Sequence, residues 1–512
     1  MLSPRRFTPL LAALLVLAAG GQAAAQASGR IIEADLRRHV EVLASDRFEG
    51  REPGTGGERL TIDYIVRELT ARGVQPGAGQ GGWLQPVRLV RRGVARHRLR
   101  WTRAGRAVGV PDDAVVLTGR DASARIRDAR VIFAGHGAVM PDRGIDQLAG
   151  ADFRNAVALI LYEGPQVEGF PSFTDRVKAL AKAGAVAVIG IVGPELPWDQ
   201  VRRAAAGGSV QLDEPGLPQA FGAMSWEGAA ALVKGAGRDL EQLINDQPGS
   251  SFRSVPLSLR AGLEVDAQVR RFTSNNVVGR IPGSGGSGSG GEGEGEAIVL
   301  LGHWDHLGIC RPEGEADRIC NGAVDNASGI AALIEAAGRL VAGERPKRDV
   351  LILATTAEEM GLLGAEAFAR NPPVPRRSIV AGINVDTLAV APAGTPVAVI
   401  GGRPDMDLVI GRVALGLGRR LDADREADVM ATRQDGWALT RNGIPTFMAV
   451  GNASDMNLLG RFLSGTYHGP GDGPAAAIEY GGAVEDANLL VALARAFADP
   501  NQFAPPATGG GG

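Results

Sequence analysis

The chain has 512 residues, too many for one ordinary core, so two domains are the expectation. Hydrophobic residues make up 45% and charged residues 22%, the profile of a globular chain that folds in water. A net charge of -3 leaves no basic footprint, which argues against nucleic acid as a partner.

At the N-terminus Arg5 and Arg6 precede an apolar stretch from Leu10 to Ala19 and the small-residue segment Gly20 to Ala27. That order predicts a cleaved export signal over residues 1–27, with processing after Ala25 or Ala27. Ten apolar residues are too few to span a bilayer, so no stable membrane anchor is expected. A periplasmic or extracellular location follows. Residues Ile31 to Leu43 and Gly57 to Arg72 show helical spacing, with Leu60, Tyr64, Ile65 and Leu69 on one face.

From about Val87 to Leu117 short apolar alternations read as strands, and Val131 to Ala134, Ala156 to Tyr162 and Ala185 to Val192 are short apolar runs. This β-rich stretch holds no clustered metal-ligand or nucleophile pattern and reads as a separate module. His39, His97 and His136, with no companion ligands nearby, read as ordinary surface or packing residues.

From about Asn275 the rhythm changes. Strand-like Asn276 to Ile281 and Ala297 to Gly302 flank the low-complexity stretch Gly283 to Glu296, which cannot bury apolar surface and reads as a flexible loop. Helix Ile330 to Val341, strand Val350 to Ala354, helix Gly361 to Ala369 and strand Ile379 to Val385 follow. Helices over Asp407 to Leu417 and Val484 to Phe497 come later, with a strand from Pro445 to Val450 between them. Apolar strands alternating with helices predict an α/β fold with a mixed, largely parallel sheet sandwiched by helices. The last residues, 506–512, are expected to be a disordered tail.

Chemistry gathers at the strand ends, where open α/β sheets bind their ligands. His303 follows the first core strand, Glu358 and Glu359 follow the next, Asp386 closes the third, and Asp325 precedes a helix that Ser328 or Asn326 can cap. His468 sits in a Gly-rich turn. Two imidazoles and three carboxylates, His303, Asp325, Glu359, Asp386 and His468, suit two zinc ions sharing one ligand. Two Zn²⁺ bring four positive charges against three carboxylates, and one bridging hydroxide would neutralise the remainder. Glu358, a free carboxylate beside metal-bound water, is placed to act as general base. His306 reads as a loop or supporting residue and stays off the ligand set. The two cysteines, Cys310 and Cys320, read as a local disulfide in an oxidising compartment, holding their loop against the site.

The motifs resemble metallopeptidase family twenty-eight, the family of bacterial leucyl aminopeptidases and glutamate carboxypeptidase II. The resemblance covers Leu43 to Gly77 and about Asn275 to Phe497. It is carried by Leu43-Ala44-Ser45-Asp46 through Glu49-Gly50-Arg51, by Gly302-His303-Trp304-Asp305-His306-Leu307-Gly308, and by Gly322-Ala323-Val324-Asp325-Asn326-Ala327-Ser328-Gly329. The resemblance implies that His303 and Asp386 hold one zinc, Glu359 and His468 the other, and that Asp325 bridges them. It implies Glu358 as catalytic base, Asp305 as the residue that orients His303, and a cis peptide between Asp325 and Asn326.

The same resemblance divides the chain into a catalytic domain over 28–110 and 255–505, interrupted by a protease-associated domain over 111–250. One departure stands out: Asp435 is kept but Gly436 occupies a position where members often carry His, so the resemblance does not fix the substrate-side wall or the specificity. The implied activity is an aminopeptidase acting on peptides with a free N-terminus. A glutaminyl cyclase-like acyltransferase, a carboxypeptidase or a non-catalytic transferrin-receptor-like binding protein are the alternatives on this scaffold.

Overall fold

The computed structural model describes residues 29–93, 95–165, 170–206, 208–245, 252–285 and 295–505. The export signal expected over 1–27 and the tail expected over 506–512 lie outside the described residues, as does most of the Gly/Ser/Glu loop. The chain divides into two compact units, one formed by Met1–Val87 with Thr273–Gly512 and the other by Arg88–Phe272. Among the described residues, no helix is long and apolar enough to cross a membrane.

The unit 88–272 is wider than the stretch 111–250 expected for an inserted domain. The reason is strand pairing: Val255–Asp266 joins Arg96–Arg103 on one side and Ser123–Phe133 on the other, antiparallel to both. Parallel strands Ala156–Leu161, Ala185–Ile191 and Ala220–Met224 continue this sheet beside Ser123–Phe133. Alternate residues Val157, Leu159, Ala187 and Ile189 face a core shared with helix Trp226–Gly235. The unit therefore has a buried core of its own.

The larger unit carries six strands that position the site: β1 (Val269–Ile281), β2 (Ala297–His303), β3 (Asp349–Thr355), β4 (Ile379–Asn384), β5 (Ala398–Gly401) and β6 (Thr446–Val450). Their order is β1-β3-β2-β4-β6-β5. β3, β2, β4 and β6 are parallel, while β1 and β5 run antiparallel at either side. The sheet is thus mixed with a parallel centre. Every residue of β2, β3 and β4 is buried, which explains their continuous apolar runs. Ile298, Leu300, Val350 and Ile352 face one helical layer; Val299, Leu301, Leu351 and Leu353 face the other. The first layer contains α1 (Glu33–Leu43), α2 (Gly56–Ala71), α3 (Gly329–Ala342) and a long C-terminal helix (Tyr480–Phe497), and the second contains Leu363–Arg370 and Asp435–Arg441.

His39 is a packing residue, one of the two readings its sequence context allowed. It is fully buried, with Nδ1 2.6 Å from the Tyr64 hydroxyl and Nε2 2.9 Å from Glu335 on α3. Arg72 donates to the same Glu335 at 2.5 Å, and Arg339 donates to its other oxygen at 3.2 Å. Burial pushes the Glu335 carboxyl up, but His39 and Arg72 overcome this and hold it down at about 2. Because the folded pKa lies below the ordinary carboxylate value, this stabilisation is present above pH 4.5 and is lost as pH falls toward 2. It amounts to about 3 kcal/mol. Glu335→Gln should therefore lower unfolding free energy at pH 7 and flatten its decline between pH 4.5 and 2, as read by urea denaturation across that range. An unchanged acid limb would contradict the role given to this network.

Candidate metal centre

Parallel pairing sets His303, the last residue of β2, opposite Thr355, the last of β3, and Leu301 of β2 opposite Asn384, the last of β4. The residues just beyond these ends converge. His303 Nε2 lies 3.2 Å from Asp325 Oδ1 and 3.3 Å from Asp386 Oδ1. His468 Nε2 lies 3.4 Å from Asp325 Oδ2 and 2.9 Å from Glu359 Oε2. Asp325 thus offers one oxygen to each of two donor groups.

Two such groups could each hold a metal ion: His303, Asp325 and Asp386, and a second containing Asp325, Glu359 and His306. The donor atoms fit a cation better than they fit each other. Asp325 Oδ2, Glu359 Oε1, His306 Nδ1 and His468 Nε2 are buried yet make no aligned hydrogen bond among the described residues. Buried polar atoms without a partner are costly, and a shared cation would satisfy them all.

The loop that presents Asp325 is held from three directions. The Asp472 carboxylate accepts from the N–H groups of Val324 at 2.8 Å and Asp325 at 3.0 Å. Asn326 donates through Nδ2 to the carbonyls of His303 and Val385, and its Oδ1 accepts from the N–H groups of Gly329 and Thr387. One side chain therefore joins the ends of β2 and β4 to the start of α3. The Asp325–Asn326 peptide is cis.

Arg51 supplies the third hold. Its guanidinium, 1% exposed, donates to the carbonyls of Leu43, Trp304, Asn321 and Gly322 at 2.6 to 2.9 Å. Burial pulls Arg51 down to about 10, opposed by Asp325, Asp472, Asp305 and Glu359. The turn that aims it packs on a short ribbon, Gly308–Ile309 with Ile319–Cys320, closed by the Cys310–Cys320 disulfide. Gly50 is required there: its φ is +63°, and a Cβ would lie 2.4 Å from the Cys320 carbonyl oxygen. The expected disulfide is present and clamps the loop that Arg51's turn rests upon.

Charge sets the protonation pattern. Burial alone would raise Asp325 and Glu359, but the imidazoles of His303, His468 and His306 hold both below their ordinary values. Burial would lower His468, yet Asp325 and Glu359 lift it to about 9. Glu358 is raised well above the carboxylate range by burial, with Asp386, Asp435 and Glu359 outweighing the pull of His303.

Asp305 is placed differently from its expected orienting contact. His303 Nδ1 meets the Asp305 main-chain carbonyl at 3.1 Å, while the nearest Asp305 carboxylate oxygen is 4.0 Å away. That carboxylate instead accepts from the Glu358 main-chain N–H at 3.1 Å. Burial pushes Asp305 up to about 8.

Gly436, the departure from the family pattern, is buried. It is packed in the helix Asp435–Arg441, where a Cβ would sit 2.6 Å from Gln434 Oε1 and 2.8 Å from Thr446 Cγ2. The wall beside Asp386 is built by other residues. A pocket there is lined by Thr387, Ile400, Met430, Gln434, Met448 and Tyr467, with Arg433 also on its wall.

Sequence reasoning gave no role to Asp472 or Arg51, and it left His306 off the ligand set. Arg51 lies inside a motif already singled out, and Asp472 follows His468 by four residues in the Gly-rich turn, so their signal was position beside a motif rather than any ligand pattern. His306 had its own signal, a second histidine three residues after His303 in a chain with only six.

Arg51→Lys should destabilise the fold by about 3 kcal/mol in chemical denaturation, because an ammonium cannot span four carbonyls fixed around a planar fork. Wild-type stability in that variant would contradict the clamp.

Residues 276–493 match the family model described as Peptidase family M28. No curated protein matches the sequence. An aminopeptidase from Aneurinibacillus sp. strain AM-1 is similar in structure at 17% identity and TM-score 0.49, over 92% of this chain and 94% of that one. BSAP, a zinc aminopeptidase from Bacillus subtilis, is similar at 15% identity and TM-score 0.42, over 90% and 94% of the two chains. A glutaminyl cyclase from Bacteroides thetaiotaomicron is similar at 19% identity and TM-score 0.32, over 43% of this chain and 77% of that one. At those scores none of the three carries function across. The family match does not depend on them: residues 276–493, the segment holding His303, Asp325, Glu359, Asp386 and His468, are similar to Peptidase family M28.

Proposed function

We propose that the protein is an exported di-zinc aminopeptidase that removes N-terminal residues from peptides. The observation that carries this reading is the pair of donor groups sharing Asp325, within a segment that matches a peptidase family. His303 and Asp386 would hold one zinc, Glu359 and His468 the other, with Asp325 between them. Bound there, the two ions would polarise the scissile carbonyl and make water acidic enough to attack near neutral pH.

The chain's own residues do the rest. Glu358 takes the proton of the attacking water and passes it to the leaving amine. Asp305 keeps Glu358 in place through its main-chain N–H. The pocket beside Asp386, with walls of Ile400, Met430 and Met448, suits an apolar N-terminal side chain. The unit 88–272 is read as the inserted protease-associated domain, supported by its place in the chain and its own core. Export rests on the leader-like pattern of Arg5, Arg6 and the apolar stretch after them.

One observation favours a second reading. Arg433 on the pocket wall is a cation that could meet the C-terminal carboxylate of a short peptide, as a carboxypeptidase requires. A glutaminyl cyclase, which uses one zinc, is disfavoured by the two donor groups.

Mass spectrometry of digests of free and N-acetylated peptides separates these readings. Loss of residues from free N-termini only, with apolar residues preferred, is the expected result; trimming from the other end would overturn it. Glu358→Gln should lower kcat by at least 100-fold while two metal equivalents remain bound, as read by elemental analysis. Retained turnover would remove Glu358 from its role.

A further inference from the structure

We propose that His306 is a protein ligand of the second metal position, so that the two positions are unequal: four protein donors at one and three at the other. This rests on the reading of the site as a two-metal centre, though not on its substrate.

The ring is fully buried. Its Nδ1 is 2.6 Å from Glu359 Oε1 and 3.7 Å from Asp325 Oδ2. From the other side, His468 Nε2 approaches the second oxygen of Glu359 and the same Asp325 Oδ2. Asp325 and Glu359 therefore each meet both imidazoles, and His306 forms a compact donor group with these two carboxylates. The rings of His306 and His468 meet edge to face, their centroids 5.6 Å apart.

A hydrogen bond from His306 to Glu359 is the plainer explanation of the short contact, and the geometry does not support it. His306 Nδ1 and Glu359 Oε1 are close, but neither makes an aligned hydrogen bond. Atoms that lie close together yet do not point at each other suit a common third partner. The backbone also makes room for this ring. Gly322 has φ +58°, and a Cβ there would fall 2.7 Å from His306 Cγ and Cδ2. A side chain at 322 would displace the imidazole.

The consequence is a division of labour. Four protein donors would hold the ion at the second position more tightly than three hold the ion at the first. Three donors, His303, Asp325 and Asp386, leave the first position room for water or a substrate oxygen. The ion at the second position should be the last lost to a chelator.

The test uses the full-length protein, stripped of metal and reloaded with two equivalents of Co²⁺. Proton NMR with ¹⁵N-histidine labelling counts the imidazoles whose signals are shifted by the bound paramagnet through direct ligation. Three of the six histidines, His303, His306 and His468, are expected; two would overturn the proposal. In His306→Gln one of these signal sets should vanish. Chelator competition should show the affinity of one equivalent falling more than tenfold while the other is unchanged. Identical shifted signals in wild type and variant would also overturn it. The wild-type count stands even if the variant does not fold. Peptide hydrolysis enters neither measurement: three ligated imidazoles in a protein that cleaves no peptide would uphold this inference and remove the aminopeptidase reading.

Discussion

Buried negative charge is the constraint on which the rest of this structure depends. Asp305, Asp325, Asp435 and Asp472 are each almost wholly inaccessible, and Glu358 and Glu359, just beyond β3, and Asp386, just beyond β4, join them. Gathering carboxylates in a water-poor space is strongly unfavourable unless cations or hydrogen-bond donors offset them. The chain answers with Arg51, with three imidazoles, and with donor atoms arranged for two metal ions. Glu358, Asp305 and Asp435 show what remains: burial raises all three above their ordinary values.

The same constraint explains why so many side chains bond to main chain rather than to one another. Asn326 joins two strand ends and a helix start, Asp472 grips the N–H groups of the Asp325 loop, and Arg51 collects carbonyls from three segments. Each fixes backbone whose neighbours are the donors. A site built this way is held rigid before any ligand arrives, which is what precise placement of reacting groups demands. The disulfide ribbon extends the support outward, since the turn that carries Arg51 rests on it through Gly50.

Much of this was legible in the sequence, for identifiable reasons. The apolar runs of the central strands and the polar residues that end them, His303 above all, are local patterns that survive in one dimension. The cysteine pair was legible because only two exist. What could not be read depends on chain segments that meet only in space. The contact of His306 with Glu359 joins residues 53 positions apart, and nothing in Leu307-Gly308 announces it. His39 read as ordinary because its partners, Tyr64, Arg72 and Glu335, lie on other helices. The wall near Gly436 could not be read for a similar cause: the glycine packs inward against Gln434 and Thr446, and the pocket is shaped by other residues. The second unit extends beyond residues 111–250 because Val255–Asp266 pairs with strands more than a hundred residues earlier.

The central claim is that two metal positions share Asp325. X-ray diffraction from crystals of the zinc-loaded protein, with data collected on both sides of the zinc absorption edge, tests it most directly. Two anomalous peaks are predicted, one among His303, Asp325 and Asp386 and the other among Asp325, Glu359, His468 and His306. A single peak, or two peaks of which one does not touch Asp325, would contradict the account.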